Sequence, residues 1–250
     1  MKFEFSVSDV PTIEIRVASG RADLHPGGSG LVEVEVTGSG ADFVLVEQLG
    51  STILIHEERK LFGGRSVNIR VSAPPGSHLD ATVASMDIYS RVDLGRINVQ
   101  TASGDLDLGQ ADTVVLRSAS GDVKIDEILN SCEVSSASGD IRVHQVHGDL
   151  SVSTASGDIV ADRIEGRCEL KSASGDLRVG CCRGGLIELK SMSGDLRVGI
   201  PAGTRVEAEI DSLSGDVRLP KTKSTVTPDR SAKLRARTVS GDIEVTRVDS

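Results

Sequence analysis

The stretch SASGD at residues 172–176 decides the fold, because nearly the same five residues occur eight times in the chain. The other copies lie at 101–105, 118–122, 136–140, 154–158, 191–195, 212–216 and 238–242. Their glycines follow one another at intervals of 17, 18, 18, 18, 19, 21 and 26 residues. A period close to 18 residues indicates a repeat architecture in which each unit packs on its neighbours.

Each repeat contains two short segments in which apolar and polar residues alternate. Around Gly175 the apolar residues are Cys168 and Leu170 on one side and Leu177 and Val179 on the other. Alternation with a period of two is typical of a β-strand with one buried face. We therefore predict two strands per repeat, with these columns of apolar residues facing the core.

The connections between these strands are too short for the crossover helix that neighbouring parallel strands of an ordinary sheet require. A solenoid avoids that requirement, because each strand pairs with its counterpart one full coil later. The sequence therefore predicts an all-β fold, a parallel β-solenoid with coils of about 18 residues stacked about 4.8 Å apart.

The repeat pattern also divides the chain into two regions. Residues 84–250 carry the SxSGD repeats, whereas residues 1–83 show looser alternating strands with glycine or proline turns. We expect residues 1–83 to form irregular N-terminal β rungs, or a cap, continuous with the solenoid in a single domain. IRVASGRADL at 15–24 resembles a degenerate repeat, and the polar segment 220–233 is expected to be an excursion before the final coil.

Composition limits the classes of partner. The net charge of −9 argues against a nucleic-acid partner, which would require a basic surface. The first residues, MKFEFSVSDV, lack the apolar core of a signal peptide, and no stretch approaches the ~20 apolar residues of a membrane helix. We therefore expect a cytoplasmic location and no membrane insertion.

The SxSGD[LIV]x[VL] repeats, together with the looser β region before them, resemble a bacterial family labelled putative adhesin. This is a family of β-strand-repeat proteins of unknown function, related to the toastrack and head-GIN-type domains. The resemblance covers residues 84–250 strongly and the first 80 by layout. It implies an adhesin-like β-repeat protein, whose relatives are often associated with membranes or surfaces. It implies no catalytic residues, since none are described for the family.

The aspartate of the repeat has two interpretations. In the first, glycine takes a positive φ at the corner while Ser and Asp side chains accept backbone N–H groups. Basic residues two positions after the aspartate then relieve repulsion along the column; they are Lys124, Arg142, Arg178, Arg197 and Arg218. In the second, the column binds Ca²⁺ as in nonapeptide β-rolls, through Asp122, Asp140, Asp158, Asp176 and Asp195. We favour the first interpretation, because the GGxG doublet of those β-rolls is missing.

The cysteines resemble a metal or redox set, but their positions in the repeat predict otherwise. Cys132 and Cys168 fall in a buried column two coils apart, roughly 10 Å, which exceeds the reach of a disulfide. Cys182 also falls in an inward column, and Cys181 should point outward. The sequence predicts unreactive core thiols. His144 and His147 form a pair without a third metal ligand in register, which is weak evidence for a metal site.

These observations predict a non-catalytic structural or protein-interaction module without a cofactor. Its partner would be a protein, and a homo-oligomer formed through the ends or edges of the solenoid is also compatible with the sequence. Two alternatives remain open. One is a calcium-responsive β-roll-like module. The other is a carbohydrate-active β-helix enzyme, although such an enzyme needs paired carboxylates and stacking rings, and this chain has no Trp and one Tyr.

Overall fold

The computed structural model describes residues 1–58, 66–220 and 230–249 and confirms the all-β prediction. It consists of strands and one short 3₁₀ helix, Ala41–Phe43. No helix in the described ranges is long and apolar enough to span a bilayer. The chain forms two compact units, residues 1–126 and residues 127–250.

The strands of the first unit are β1 (Lys2–Ser6), β2 (Thr12–Arg16), β3 (Ser19–Pro26), β4 (Leu31–Thr37), β5 (Val44–Leu49), β6 (Thr52–Glu57), β7 (Val67–Ala73), β8 (His78–Ser90), β9 (Leu94–Ser103) and β10 (Leu106–Ser118). Strand β11 (Val123–Ser138) includes the boundary between the units. The strands of the second unit are β12 (Ile141–Val146), β13 (Asp149–Ser156), β14 (Ile159–Ile164), β15 (Cys168–Ser174), β16 (Leu177–Cys182), β17 (Leu186–Ser193), β18 (Leu196–Pro201), β19 (Thr204–Ser214), β20 (Val217–Arg218), β21 (Arg230–Ser240) and β22 (Ile243–Val248).

The first unit combines stacked parallel rungs with antiparallel strands. Strand β8 pairs in parallel with β9, where Leu79 lies opposite Ile97. Strand β3 pairs in parallel with β8 and places Gly20 opposite Met86, so the segment 15–24 is a rung of the stack, as its sequence predicts. The irregular part comes from antiparallel pairs between β1 and β4, between β4 and β7, and between β5 and β6.

The second unit is the regular part of the parallel β-solenoid. Strand β13 pairs in parallel with β15, and β14 with β16, at a constant offset of one repeat; Leu150 lies opposite Cys168, and Ile159 opposite Leu177. The predicted inward columns form the core. Leu170 and Leu177, for example, both have 0% of their surface exposed. Burying β-branched and aliphatic side chains between two stacked walls supplies the main stabilisation of such a coil.

The order of the last two coils differs from the prediction that each strand pairs with its counterpart one coil later. Strand β17 pairs with β21, with Ile187 opposite Leu234, and β21 in turn pairs with β19, with Leu234 opposite Ala208. The final segment of the chain is thus inserted between β17 and β19. Residues 230–233, expected in the polar excursion, belong to β21, while residues 221–229 of that excursion lie outside the described residues.

The inserted strand changes the charge pairs in both directions, because it separates two carboxylates but also places Arg237 opposite Lys190. Direct pairing of β17 with β19 in the same register would place Glu188 beside Glu209, which is an unfavourable like-charge pair. In the observed order Arg235 lies opposite both carboxylates, and its Nε is 3.3 Å from Glu209 Oε2. Because β19 and β20 now form the terminal coil, their inward column is incompletely covered, and Val217 and Leu219 are 46% and 55% exposed.

Candidate functional site

The SxSGD corner is a place where two coils approach too closely for any side chain on the glycine. Gly175 has a φ of +143°, and a Cβ added there would lie 2.2 Å from the carbonyl oxygen of Gly157. The same relation holds one coil earlier, between Gly157 and Gly139, at 2.3 Å. The positive φ predicted from the sequence is therefore confirmed, and close packing of backbone on backbone is a second reason for glycine.

In the second unit, each aspartate of the corner holds the next coil through a hydrogen bond. The backbone N–H of Asp158 donates to Asp140 Oδ1 at 2.9 Å, and that of Asp176 donates to Asp158 Oδ1 at 2.8 Å. The series continues in spatial order through Asp195, Asp242 and Asp216, at 2.8, 2.9 and 2.9 Å. We call this column the aspartate ladder. A carboxylate that accepts a backbone N–H makes a charge-assisted hydrogen bond, stronger than one between neutral groups.

The first unit contains a shorter ladder of the same kind. Asp105 N–H donates to Asp87 Oδ1, and Asp122 N–H donates to Asp105 Oδ1, both at 3.0 Å. The hydroxyls of the motif act within their own corner, where Thr154 Oγ1 donates to the carbonyl of Ser156 at 3.0 Å. The Asp and Ser side chains thus satisfy backbone groups at the corner, as predicted, with the aspartate reaching one coil further than a local turn contact would.

Basic side chains relieve the repulsion between ladder carboxylates at particular positions. Arg197 Nη2 lies 2.9 Å from Asp195 Oδ2, and Arg218 Nη2 lies 3.8 Å from Asp216 Oδ2. Lys124 differs from the prediction, because its Nζ pairs with Asp107 and Asp126 instead of a ladder residue, at 3.8 and 3.5 Å. These pairs are exposed, so each contributes little by itself.

The five aspartates of the calcium alternative all lie in these two ladders. Oδ1 of Asp140, Asp158, Asp176 and Asp195 accepts a backbone N–H, and Asp122 donates its own N–H to Asp105. Within the described ranges, no three His, Cys, Asp or Glu side chains are placed to hold a metal ion. In this arrangement the aspartates join neighbouring coils through hydrogen bonds.

Substitution of Asp176 by Asn is expected to lower the free energy of unfolding by less than about 1 kcal/mol, because an amide oxygen still accepts the N–H of Asp195. Substitution by Ala removes the acceptor and is expected to cost about 1–2 kcal/mol. Urea denaturation of both variants measures the difference. Equal losses for Asn and Ala would show that the charge of the carboxylate, and not its hydrogen bond, is what matters.

His147 lies between two carboxylates that the sequence did not associate with it. Its Nε2 is 2.8 Å from Glu127 Oε1, and its Nδ1 is 3.4 Å from Glu165 Oε2. Gln145 also contacts Nε2 at 3.1 Å, and Arg183 lies 3.9 Å from the far oxygen of Glu165. Hydrogen bonds to Glu127 and then to Glu165 raise the pKa of His147 above its usual 6.5. The neighbouring His144 makes a separate contact, 2.8 Å from Asp162 Oδ2.

The His147 contact predicts a pH dependence of stability. A histidine whose folded pKa is raised stabilises the protein fully below its unfolded value of 6.5 and loses that contribution as the pH rises through the higher folded pKa. We expect the wild type to lose more stability between about pH 6 and pH 8.5 than His147→Gln. Glu127→Gln, which keeps the histidine and removes its main partner, should reduce the same pH dependence. Parallel curves for the three proteins would contradict this assignment.

The cysteines lie where their positions in the repeat predict. Cys132 is 2% exposed, Cys168 and Cys182 are 0% exposed, and Cys181 is half-buried, all four as free thiols. Burial raises the pKa of Cys132 to about 12. The sequence missed one contact, since the thiols of Cys168 and Cys182 are hydrogen-bonded across the core. That hydrogen bond, together with burial, raises the pKa of Cys168 well above its usual value.

Thiol labelling of the native protein is expected to modify Cys181 first and the other three cysteines only after unfolding, because burial keeps the reagent away from Cys132, Cys168 and Cys182. Cys181→Ser should abolish the fast phase of labelling. A fast phase that persists in that variant would contradict the burial of the remaining thiols.

A shallow cavity in the first unit bears on the carbohydrate-enzyme alternative. It has a volume of about 430 Å³ and is lined by Arg16, Val17, Ala18, Thr82, Val83 and Ala84. Arg16 is the one charged residue of these six, and it pairs with Glu14. Glycoside hydrolysis requires two facing carboxylates, which this lining does not supply.

Sequence reasoning also overlooked a row of exposed apolar residues at the SxS corner. The middle residue of SxS is alanine in the first five copies but Met192, Leu213 and Val239 in the last three. These side chains are 64%, 83% and 49% exposed. Register places Val239 between the other two, so they form an apolar ladder on three neighbouring strands. The change of residue within the motif was the available signal.

Comparison with known proteins gives a family and a fold. A family model described as Toastrack DUF4097 matches residues 10–246. A crystal structure of a putative adhesin from Bacteroides fragilis is 12% identical, with 98% of this chain and 96% of that chain covered and a TM-score of 0.53. A putative adhesin from Parabacteroides distasonis is also 12% identical, with coverage of 98% and 96% and a TM-score of 0.47. Comparison with curated proteins gives no match.

Proposed function

Because the chain belongs to the Toastrack DUF4097 family, we propose that it is a non-catalytic, adhesin-like module that acts as a structural element or binds other proteins. The description of the Bacteroides fragilis structure as a putative adhesin supports the proposal. In this proposal the module requires no cofactor and its partner is a protein. The net charge of −9 argues against a nucleic-acid partner.

The observation that carries the proposal is the aspartate ladder. The most repeated polar side chains of the chain are engaged in joining one coil to the next, as in the contact between Asp176 Oδ1 and the N–H of Asp195. An active site is instead an irregular cluster of titratable groups in a cleft. A regular stack of coils offers extended, rigid walls and edges, which suit contact with another protein.

Affinity capture tests the proposal directly. The full chain is immobilised, exposed to lysate of the source organism, and cross-linked before mass spectrometry; a heat-unfolded sample is the control. We expect a small set of proteins enriched on the folded chain, with cross-links to defined positions on its surface. Equal recovery on folded and unfolded samples would overturn the proposal.

Two further measurements separate the proposed function from its alternatives. Calorimetric titration with Ca²⁺ is expected to give no saturable heat and no shift of the melting temperature. Stoichiometric binding that is lost on changing Asp122, Asp140, Asp158, Asp176 and Asp195 to Asn would establish the calcium-responsive module instead. Hydrolysis of any member of a glycan panel would establish the carbohydrate-active enzyme.

We also propose a cytoplasmic location and a cap formed by residues 1–83 on the repeats of 84–250. Fractionation of the source organism with an antibody to the chain tests the location. Expression of residues 84–250 alone tests the cap, because removal of a cap exposes a strand edge and should lead to aggregation. A soluble, monomeric product would contradict that role.

A further inference from the structure

The terminal coil of the second unit leaves one strand edge open. Among the described residues, β19 pairs with β21 on one side, and no strand pairs with its other side. Strand β19 is 11 residues long, from Thr204 to Ser214. Long open edges are sites where another strand can add, because their backbone N–H and C=O groups are unpaired.

The outward side chains of β19 give this edge a definite charge pattern. Glu207, Glu209 and Asp211 alternate along the strand and are all exposed. Each lies opposite a basic residue of β21, in the register Glu207–Lys233, Glu209–Arg235 and Asp211–Arg237. The three carboxylates therefore have cationic neighbours on the β21 side, and their other side faces the open edge.

The apolar ladder of Met192, Val239 and Leu213 ends at the same edge. Leu213, the outermost of the three, is 83% exposed. Val217 and Leu219, on the other wall of this coil, are 46% and 55% exposed. Exposed apolar side chains grouped in this way are typical of interaction sites rather than of a free solenoid surface.

We propose that the open edge of β19 binds an extended segment of a partner protein by strand addition, and that this segment carries basic residues at alternate positions. The alternation matches Glu207, Glu209 and Asp211, and an apolar residue beyond the basic ones packs on Leu213. This inference rests on the proposed protein-binding function and specifies where and what it binds.

Strand β21 shows which sequence satisfies the edge. Its segment KLRAR at 233–237 places Lys233, Arg235 and Arg237 beside the acidic row, and its Val239 lies opposite Leu213. A second copy of β19 would instead place carboxylates beside carboxylates, which disfavours self-association through this edge. The partner is therefore a basic segment on another protein.

The test uses a fluorescent peptide with the sequence of residues 230–240, RSAKLRARTVS, added to the full chain. Anisotropy is expected to show saturable binding that weakens at least several-fold between about 50 and 300 mM salt. A control peptide in which Glu replaces the residues corresponding to Lys233, Arg235 and Arg237 should not bind. Hydrogen exchange should show new protection of the β19 amides when the peptide binds. If the peptide instead displaced the chain's own β21, β19 would gain no new protection. Equal binding of both peptides, or absence of binding, would overturn the inference.

Matched variants locate the site. Glu207→Lys should weaken binding of the peptide about tenfold, which corresponds to about one unit of log K. Glu133→Lys, which reverses an exposed carboxylate on β11 away from this edge, should leave the affinity unchanged. Leu213→Ser should weaken binding several-fold without changing the salt dependence. Equal effects at Glu207 and Glu133 would mean non-specific attraction and would overturn the inference.

Two other occupants have distinct outcomes. If the wild type is a dimer by light scattering and Glu207→Lys changes its dissociation, a second copy occupies the edge and the inference is wrong. If the peptide binds only after residues 221–229 are replaced by a Gly/Ser segment of equal length, the chain's own segment is the occupant, and the inference is again wrong. If the peptide fails while affinity capture still yields a partner cross-linked elsewhere, the proposed function stands without this site.

Discussion

Substitution of Gly175 by Ala is expected to lower the free energy of unfolding by about 3 kcal/mol or more, since it combines backbone strain with overpacking. The φ of +143° is a conformation that residues with a Cβ rarely adopt. The new methyl group would also lie 2.2 Å from the carbonyl oxygen of Gly157, so the two coils would have to separate. Separation would stretch the hydrogen bond from Asp176 N–H to Asp158 Oδ1, which is 2.8 Å long.

Two other glycines divide this effect into its parts. Gly50 has a φ of +65° with open space around its would-be Cβ, so Gly50→Ala reports the cost of a left-handed backbone without a steric clash. Gly28 has open space and no positive φ, so Gly28→Ala should be neutral. Chemical denaturation should rank the losses Gly175, then Gly50, then Gly28. A loss at Gly175 no larger than at Gly50 would show that neither the unusual φ nor the contact with Gly157 adds to the cost, and would contradict this account.

The sequence predicts the fold because the pattern that determines it is local and is repeated along the chain. Alternation around each SxSGD motif identified the buried face, and residues such as Leu170 and Leu177 are fully buried as expected. The period of the glycines identified the stacking, since a parallel solenoid pairs residues one repeat apart. Local alternation and a global repeat agree in this chain, which is why a single sequence sufficed.

The order of the last coils could not be read from the same pattern. Both terminal segments carry the SxSGD motif and an apolar inward column, so periodicity does not say which one lies next to β17. The outward charges do not decide the order either, since the observed order places Arg235 between Glu188 and Glu209 but also Arg237 opposite Lys190.

The sequence predicts the kind of contact made at the candidate site but not that the contact extends to the next coil. Turn chemistry at Gly and Asp was expected, whereas the bond from each Asp to the N–H of the next coil depends on the stacking distance. Contacts between residues of different columns are not predicted by the repeat pattern, for a related reason. Cys168 and Cys182 occupy different columns, and His147 meets Glu127 and Glu165 from neighbouring coils.

Leu170→Ala is the second large effect that we expect, a loss of about 2–4 kcal/mol in the free energy of unfolding. Leu170 is 0% exposed and stacks in register between Val152 and Leu189, so truncation leaves a cavity bounded by the rungs on both sides. Those rungs are held at a fixed spacing by backbone ladders and aspartate bonds, and they can collapse into the cavity only slightly, which keeps the cost high.

Leu213→Ala is the matched control, because it removes the same atoms from a leucine that is 83% exposed and should change stability by less than about 0.5 kcal/mol. Urea denaturation of both variants gives the comparison, and the slope of the transition shows whether unfolding still exposes the same surface. Similar losses at the two positions would mean that the inward column is not the core. A large loss at Leu170 alone would show that the inward apolar residues around SASGD stabilise the solenoid and that the exposed Leu213 does not.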